Sequence, residues 1–275
     1  MSGDIFDGQP SDPDQLAEIY DLEHDEVIED HAFYRELTRR HPRAVLDLGT
    51  GSGRLLPAFV EGGAEGVVAV DGSPALLRRA KARIATDPQL ARAAGDQRLS
   101  VMEGDVRRLD RAVLRRKLGG GASLVVLAGV LPHLDGPEEA LRTLAGMAGM
   151  LGRSGVAIID DIGPGLLPAR DLPLSLDWRR EVNGMEVVRR SQLMRREAPE
   201  GLRVVFSTIV DVGRPDGTIA RLPASHRLWY PYVDALRSLV REAGLVEELA
   251  YGSHDLDPLG ADSERRIMVV RRAVD

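Results

Sequence analysis

The feature that most constrains the fold of this chain is a regular alternation of short apolar strands with helices. Runs of aliphatic and β-branched residues predict five buried strands, at residues 44–49, 66–71, 98–105, 123–129 and 156–161. The segments between them carry helix signals, most clearly residues 137–155, where apolar side chains recur at helical spacing until Gly152. Strands that are apolar throughout are typical of a parallel sheet covered by helices on both faces. The sequence therefore predicts a doubly wound α/β fold.

The pattern changes after residue 163, where apolar and polar residues alternate with a period of two. Three such segments, at 181–196, 202–213 and 217–229, predict an antiparallel β insertion of three strands after the fifth strand. A helix and two final strands follow. We therefore predict four parts: an N-terminal helical lid (1–40) that opens with a loose polar leader (1–15), a ligand-binding core (41–163), an antiparallel β cap (164–230), and a C-terminal helix with the last two strands (231–275).

Composition excludes several classes of function. The 275 residues include no cysteine, which excludes disulfides, thiolate catalysis and zinc–thiolate sites. The 43 acidic residues outnumber the 36 basic ones, and residues 1–30 hold 11 acids and no Lys or Arg, so the chain offers no basic footprint for nucleic acid. No apolar run approaches the roughly 20 residues that cross a bilayer. We therefore expect a cytoplasmic protein with no nucleic-acid or membrane partner.

The strongest functional signal is the segment AVLDLGTGSGRL, which ends the first strand and carries Asp47, Gly49, Gly51 and Gly53. Glycines at this point let a ligand approach the backbone closely and allow a positive φ in the turn. Arg54 stands where a GxGxxG pattern would have its third glycine, so a pyrophosphate cradle is not what this loop suits best. A tight strand-to-helix turn also needs glycine for purely structural reasons, so the loop alone leaves both interpretations open.

Two further acids end the next two strands. Asp71 ends the second strand, where a carboxylate can accept both hydroxyls of a ribose, and Asp105 ends the third, placed to accept from an adenine amine. Together with Asp47 they converge on the crevice at which open α/β sheets bind ligands. Any one of the three acids could be a solvated loop residue or a helix cap. That interpretation poorly explains why all three stand at the same position, at the carboxyl ends of consecutive strands.

Four segments in order resemble the signature segments of the class I S-adenosylmethionine-dependent methyltransferases: AVLDLGTGSGRL, VVAVDGSPALLRRAKARI, MEGDVRRLD and LVVLAGVLPHL. The N-terminal YDLEHDE and FYREL resemble the small-molecule branch, which includes glycine and amino-sugar N-methyltransferases. The resemblance implies a mostly parallel, Rossmann-like sheet of seven strands, whose last strand (266–272) is antiparallel. It also implies S-adenosyl-L-methionine as the cofactor, bound by the following residues: Tyr34, Asp47, Gly49, Thr50, Gly51, Gly53, Asp71, Gly72, Asp105, Val106, Ala128 and Gly129.

Candidate catalytic residues are few. His133, just past the fourth strand, is either a general base or a histidine packed beside Leu134 at a helix entrance. Tyr20 resembles the N-terminal tyrosine that closes over the methyl group in the N-methyltransferase branch, or is one more apolar position of the first helix. The residues predicted to bind the acceptor are His133, Asp160, His226, Trp229 and Tyr230, of which the last two could instead pack as a staple. The pair Asp160 and Asp161 lacks the further ligands of a magnesium site, so we predict no metal.

The sequence thus predicts an enzyme that transfers a methyl group from S-adenosylmethionine to N, O or C of a small metabolite, in natural-product biosynthesis. One alternative is an NAD(P)-dependent oxidoreductase, which shares the strands, glycines and ribose acid but is disfavoured by Arg54 and Asp47. Another is a catalytically silent module that binds S-adenosylmethionine. The antiparallel strands of the cap could also pair two chains into a homodimer, because an uncovered strand edge is readily paired.

Overall fold

The computed structural model describes residues 12–273, so most of the predicted leader lies outside the described residues. The N-terminal part contains two helices, α1 (Pro13–His24) and α2 (His31–Arg40). Helix α1 begins with a proline, whose missing N–H costs nothing in a first turn, and the Asp12 carboxylate caps it by accepting from the N–H of Asp14 at 3.0 Å.

The central element is a mixed sheet of seven strands, as predicted. Its members are β1 (Val45–Leu48), β2 (Val67–Asp71), β3 (Leu99–Glu103), β4 (Ala122–Ala128), β5 (Leu151–Ile162), β10 (Leu245–Tyr251) and β11 (Arg265–Arg272). The order across the sheet is β3-β2-β1-β4-β5-β11-β10. Strand β11 pairs antiparallel with both of its neighbours, which confirms the predicted antiparallel last strand. The order reverses between β1 and β4, which is where open α/β sheets form their ligand crevice.

Helices cover both faces of this sheet. They are α3 (Leu56–Glu61), α4 (Pro74–Thr86), α5 (Pro88–Gly95), α6 (Arg111–Leu118), α7 (Pro137–Met150) and α8 (Val233–Glu242). One apolar core lies between the sheet and α6, α7 and α8, and the other lies between the sheet and α2, α3 and α5. The sequence did not predict α6, because half of its residues are basic and only Leu114 is buried, which leaves little apolar periodicity.

The antiparallel cap has four strands rather than the three expected. They are β6 (Leu172–Val182), β7 (Met185–Ala198), β8 (Gly201–Gly213) and β9 (Ile219–Pro231), paired in chain order. The prediction of three strands was wrong because it ran through the turn at Asn183 and Gly184. These two residues have φ values of 52° and 75°, which is the conformation of a tight two-residue hairpin. No helix of the described chain is long and apolar enough to span a membrane.

Candidate active site

A large cavity of about 1730 Å³ opens at the carboxyl ends of the central strands. It is walled by the core sheet, by α1, by the last strand of the cap (β9) and by the loop between β10 and β11. Most of the residues predicted from the sequence line it: Tyr20, Gly49, Gly51, Asp71, Gly72, Asp105, Val106, Ala128, Gly129, His133, Asp160, His226 and Tyr230. The structure therefore brings the predicted cofactor residues and the predicted acceptor residues into one space.

Five predicted residues lie behind the wall of this cavity instead of on it: Tyr34, Asp47, Thr50, Gly53 and Trp229. Trp229 is 1% exposed and packs in the apolar core with residues of α7 and α8. Tyr34 is fully buried, and its hydroxyl donates to Asp160 at 2.6 Å. Both aromatic side chains can shape the wall but cannot touch a bound ligand in this arrangement.

The glycine loop after β1 requires glycine at two positions that face other chain segments. Gly49 and Gly51 have φ values of 79° and 57°, in the left-handed region that favours glycine. A Cβ at Gly49 would lie 2.1 Å from Cγ2 of Val130, and a Cβ at Gly51 would lie 3.2 Å from the hydroxyl of Tyr20. Val130 and Tyr20 therefore approach the loop backbone more closely than a residue with a side chain would allow.

Under this loop, polar atoms are buried without partners. Oδ2 of Asp47 and the hydroxyls of Thr50 and Ser52 make no hydrogen bond within the described chain. Burial raises the pKa of Asp47 to about 6. Buried polar atoms are usually hydrogen-bonded, so an orphaned carboxylate oxygen here fits a cationic or N–H donor from a ligand. This fits the methionine ammonium group that the sequence resemblance places near Asp47.

Asp71 links the glycine loop to the start of α4. One of its carboxylate oxygens accepts from the N–H of Gly51 at 2.7 Å, and the other accepts from the N–H of Ser73 at 2.7 Å. Each oxygen keeps a second lone pair, and the residue lines the cavity. This carboxylate is therefore fixed in place and can still accept two hydroxyls, as a ribose requires.

Asp105 is held at the opposite end of the cavity floor by an arginine. Its Oδ1 accepts from both the backbone N–H and Nε of Arg107, at 2.9 and 2.8 Å. The hydrogen bond from Arg107 lowers the pKa of Asp105, so it is ionised at neutral pH. Among residues 12–273, Oδ2 of Asp105 has no hydrogen-bond partner, so it can accept from an exocyclic amine.

Tyr20 of α1 closes the cavity over the glycine loop. Its ring stacks on His24 with 4.1 Å between ring centroids, and its hydroxyl lies beside Gly51. Burial raises the pKa of Tyr20, so the phenol stays protonated and can donate a hydrogen bond at neutral pH. Stacking at helical spacing holds the phenol over the loop.

Arg54 is a site residue whose partner the sequence did not reveal. Its guanidinium donates to both carboxylate oxygens of Asp30, at 2.7 and 2.6 Å, and to the carbonyl of Val27 at 2.8 Å. Both partners of the pair are mostly buried, with side chains 18% and 7% exposed. The pair fastens the segment between α1 and α2 to the glycine loop. No local pattern connects residues that lie 24 positions apart, so no sequence signal pointed to it.

His133 and His226 meet across the acceptor end of the cavity. His133 belongs to a short 3-10 turn (Leu131–His133) after β4, and His226 belongs to β9 of the cap. Their rings pack edge to face with 6.1 Å between centroids. Burial, with the charge of His226, lowers the pKa of His133, and burial lowers the pKa of His226. Both imidazoles are therefore neutral at neutral pH, and each keeps a nitrogen lone pair.

Asp160 joins four segments of the chain. It accepts from the hydroxyl of Tyr34, from Nε2 of His254 at 2.9 Å, and from Nε of Arg265 at 3.0 Å. Burial alone would raise the pKa of Asp160, but the hydrogen bond from His254 and the charge of Arg265 outweigh it, and the pKa lies below its ordinary value. The sequence did not identify His254 or Arg265. Within residues 12–273, no group of three acids or histidines is arranged to hold a metal ion.

Comparison with known proteins identifies the domain around this cavity. Residues 45–155 match the family described as "Methyltransferase domain". This range contains the glycine loop, Asp71, Asp105 and His133. No sequence among the curated proteins matches the chain.

Several solved structures share the fold over nearly their whole length. The CcbJ methyltransferase from Streptomyces caelestis is 21% identical, with 96% of this chain and 99% of that chain covered and a TM-score of 0.75. The sugar N-methyltransferase KedS8 from Streptoalloteichus sp ATCC 53650 is 21% identical, with 100% and 98% covered and a TM-score of 0.69. CalS10 from Micromonospora echinaspora, an amino pentose methyltransferase solved with S-adenosylmethionine bound, is 21% identical, with 94% and 97% covered and a TM-score of 0.65.

The fold, the cavity and the domain match together define a methyltransferase with a Rossmann-like core. The domain match confirms the S-adenosylmethionine-dependent methyltransferase predicted from the sequence. An NAD(P)-dependent oxidoreductase is not favoured.

Proposed function

We propose that this protein transfers the methyl group of S-adenosyl-L-methionine to the amino nitrogen of an amino-sugar derivative, in natural-product biosynthesis. The observation that carries the proposal is one continuous cavity in which the glycine loop and its acids face two neutral imidazoles. Two of the structures with this fold are described as a sugar N-methyltransferase and an amino pentose methyltransferase, which supports the choice of acceptor.

The donor half of the site holds the cofactor at three points. Asp71 would accept from the ribose hydroxyls, and Oδ2 of Asp105 would accept from the adenine amine beside Val106. Asp47, which lies behind the cavity wall, would orient the methionine ammonium group through water. Gly72, Ala128 and Gly129 line the adenosine path without side chains that would block it. When bound, the cofactor supplies a sulfonium methyl group that is already electrophilic. The protein therefore needs to align the acceptor, exclude water and take up a proton.

The acceptor half of the site receives the amine. His133 accepts an N–H of the acceptor through its neutral ring, which keeps the nitrogen lone pair directed at the methyl group and removes the proton as the bond forms. His226 and Tyr230 form the facing wall, and Tyr20 closes the side next to the glycine loop. Asp160 contributes as a positioning residue, because its hydrogen bonds hold Tyr34, His254 and Arg265 against the cavity wall.

A paired-acceptor assay tests this function. The enzyme is supplied with S-adenosylmethionine and with matched glycosides that carry either an amine or a hydroxyl at the same carbon. We expect release of S-adenosylhomocysteine mainly with the amines, because the lone pair of a neutral amine is more nucleophilic than that of an alcohol held in the same place. Turnover with the hydroxyl partners alone would identify an O-methyltransferase. Binding of S-adenosylhomocysteine without turnover of any acceptor would favour the silent module.

Cofactor binding is checked in the same preparation by calorimetry with S-adenosylhomocysteine. Asp71→Ala should weaken binding by about 10²-fold, because two charge-assisted hydrogen bonds are lost and the loop loses its fastening. Asp71→Asn should cost less, because the amide oxygen still accepts one of them. The exposed Asp96→Ala variant is the matched control and should bind as the unaltered protein does. Equal affinity in Asp71→Ala would remove Asp71 from the ribose site.

A further inference from the structure

A second cavity of about 280 Å³ lies under the cap, next to the acceptor end of the main one. Tyr230 and Ile162 line both cavities, so they form the partition between them. The rest of its wall comes from the turn after β5, from β7, β8 and β9, and from the start of α8. Its surface is mostly aliphatic and proline, with Leu202 and Tyr232 among its members. None of the functions assigned above uses this cavity.

A buried guanidinium faces this second cavity. Arg266 of β11 is 3% exposed and lines the wall. Its Nη1 donates to the carbonyl of Pro231, whereas Nε and Nη2 have no hydrogen-bond partner within the described chain. Burial lowers the pKa of Arg266, but an arginine remains a cation in proteins. A buried cation with two free donors is costly unless an anion pairs with it.

The only acid within ion-pair distance of Arg266 in the described chain is Asp161, at 3.8 Å from Nη2, too far for a hydrogen bond. Both carboxyl oxygens of Asp161 are buried without a hydrogen bond. Burial raises the pKa of Asp161 to about 7, and the charge of Asp160 raises it further. The charges of Arg266 and Arg265 act in the opposite direction but are outweighed. Tyr230, the other titratable group facing Asp161, has its pKa raised by burial to about 12 and stays neutral. Asp161 is therefore only partly ionised near pH 7, and its charge offsets that of Arg266 only in part.

The second cavity also carries a second arginine and no acid. Arg195 of β7 lines the cavity and forms an ion pair with Glu197. Glu197 also accepts a hydrogen bond from the Tyr232 hydroxyl. Nε of Arg195 is buried and has no hydrogen-bond partner within the described chain. Arg266 and Arg195 thus both line a small, otherwise apolar space, and each has at least one buried N–H donor without a partner within the described chain. Planar arginine donors match the two oxygens of a carboxylate.

We propose that this second cavity binds the carboxylate group of a small organic acid with an apolar body, with Arg266 as its principal partner. The apolar wall takes the body of the acid, and the free N–H donors of Arg266 and Arg195 take its oxygens. The partition of Tyr230 and Ile162 sets the bound acid beside the acceptor cavity. The proposal goes beyond the methyl transfer and does not depend on it.

Binding of this acid should depend on pH through Asp161. Below a pH of about 7 the Asp161 carboxyl is protonated, so the Arg266 charge is free for the ligand. Above that pH the ionised Asp161 competes for Arg266 and repels the bound anion. We therefore expect affinity for the acid to fall about 3- to 10-fold between about pH 6 and pH 8.

Calorimetry or ligand-detected NMR with benzoate and its neutral counterpart benzamide tests the proposal. We expect benzoate to bind with a dissociation constant of about 1 mM and benzamide to bind at least about 10-fold more weakly. Asp161→Asn should remove the pH dependence of benzoate binding while keeping the shape of the site. Equal binding of the two probes, or a benzoate affinity that rises with pH, would overturn the proposal.

Two variants locate the site, and S-adenosylhomocysteine binding reports whether each is folded. Arg266→Met should abolish benzoate binding, whereas Arg271→Met should leave it unchanged, because Arg271 lies on the same strand but is exposed and paired with Glu248. Since Arg266 is buried, Ala169→Trp provides a second variant, which fills the mouth of the cavity from an exposed position. Benzoate binding that survives both changes contradicts the proposal. Benzoate binding without S-adenosylhomocysteine binding would instead contradict the proposed methyl transfer.

Discussion

Two histidines from different parts of the chain face each other where the acceptor amine would lie. Burial lowers the pKa of both rings, and the charge of His226 lowers the pKa of His133 further. The carboxylate of Asp71 acts in the opposite direction on His133, but its effect is the smaller one. Both rings are therefore neutral at neutral pH, as the proposed role of His133 as a base requires.

His133 should control the acidic limb of the turnover profile. Because its pKa lies below the ordinary value of 6.5, turnover should be constant above that pH and fall as the pH drops through the lowered pKa. His133→Gln should reduce kcat by about 10²-fold and remove this limb, since the amide cannot accept a proton. Rate measurements at saturating cofactor between about pH 5 and pH 8 check both statements.

His226→Gln is the matched control, because it leaves His133 in place. It should raise KM for the acceptor more than it lowers kcat, and the acidic limb should persist. Asp47 also loses its charge as the pH falls through about 6, so saturating cofactor is needed to separate weakened cofactor binding from the effect of His133. If kcat of His133→Gln falls by less than about threefold, His133 is not the base, and alignment of the acceptor with the methyl group accounts for the rate.

At the scale of elements, the acidic N-terminal segment forms ion pairs with both the core and the cap. Arginines of α4 bind α1, Arg79 to Asp21 and Arg83 to Asp25, and Arg83 also donates to the carbonyl of Ser52 at 3.0 Å. From the cap, Arg189 binds Glu23. Helix α1 thus lies as a strap between the core and the cap, with Tyr20 and His24 beneath it.

The position of the strap should depend more on the buried ion pair between Arg54 and Asp30 than on exposed ion pairs such as that between Arg78 and Asp14. Arg54→Met leaves the Asp30 carboxylate buried without a partner, so the segment between α1 and α2 should loosen. Because this segment is continuous with α1, Tyr20 should be held less firmly, and the affinity for S-adenosylhomocysteine should fall about 10-fold. Arg78→Met removes an exposed pair with Asp14 and should change the affinity less than twofold. Calorimetry of both variants makes the comparison, and equal affinities would show that the strap does not contribute to cofactor binding.

The elements also show what the sequence could and could not predict. Buried parallel strands such as β1 and β2 were readable because apolar periodicity is a local signal, and their terminal acids follow from the same positions. The fourth cap strand was missed because the turn at Asn183 and Gly184 lies inside the segment 181–196, where the alternating pattern predicts one continuous strand, and because β6 buries little of its surface. The partners of Asp160 and Arg54 could not be predicted, because such pairs are formed by the tertiary fold between residues far apart in the chain.

At the scale of the whole molecule, the cap leaves one outer strand uncovered. Leu172, Leu174 and Leu176 on β6 are 43%, 47% and 58% exposed, which is an unusual cluster of large apolar side chains for a monomer surface. Pro173 has no N–H to donate, so a second chain would contact this strand through side chains more than through a continued sheet.

A homodimer that buries this strand remains our expectation for the assembled protein. Because a two-fold interface uses the same surface twice, a single Leu174→Lys change places two charges in the contact and should convert the dimer to monomer at about 0.1 mM protein. Val246→Lys, which alters an equally exposed apolar residue on β10, is the control and should leave the mass unchanged. Sedimentation equilibrium measures all three proteins. A monomeric unaltered protein at that concentration would contradict the expectation, and methyl transfer by the Leu174→Lys monomer would show that the cavity is complete within one chain.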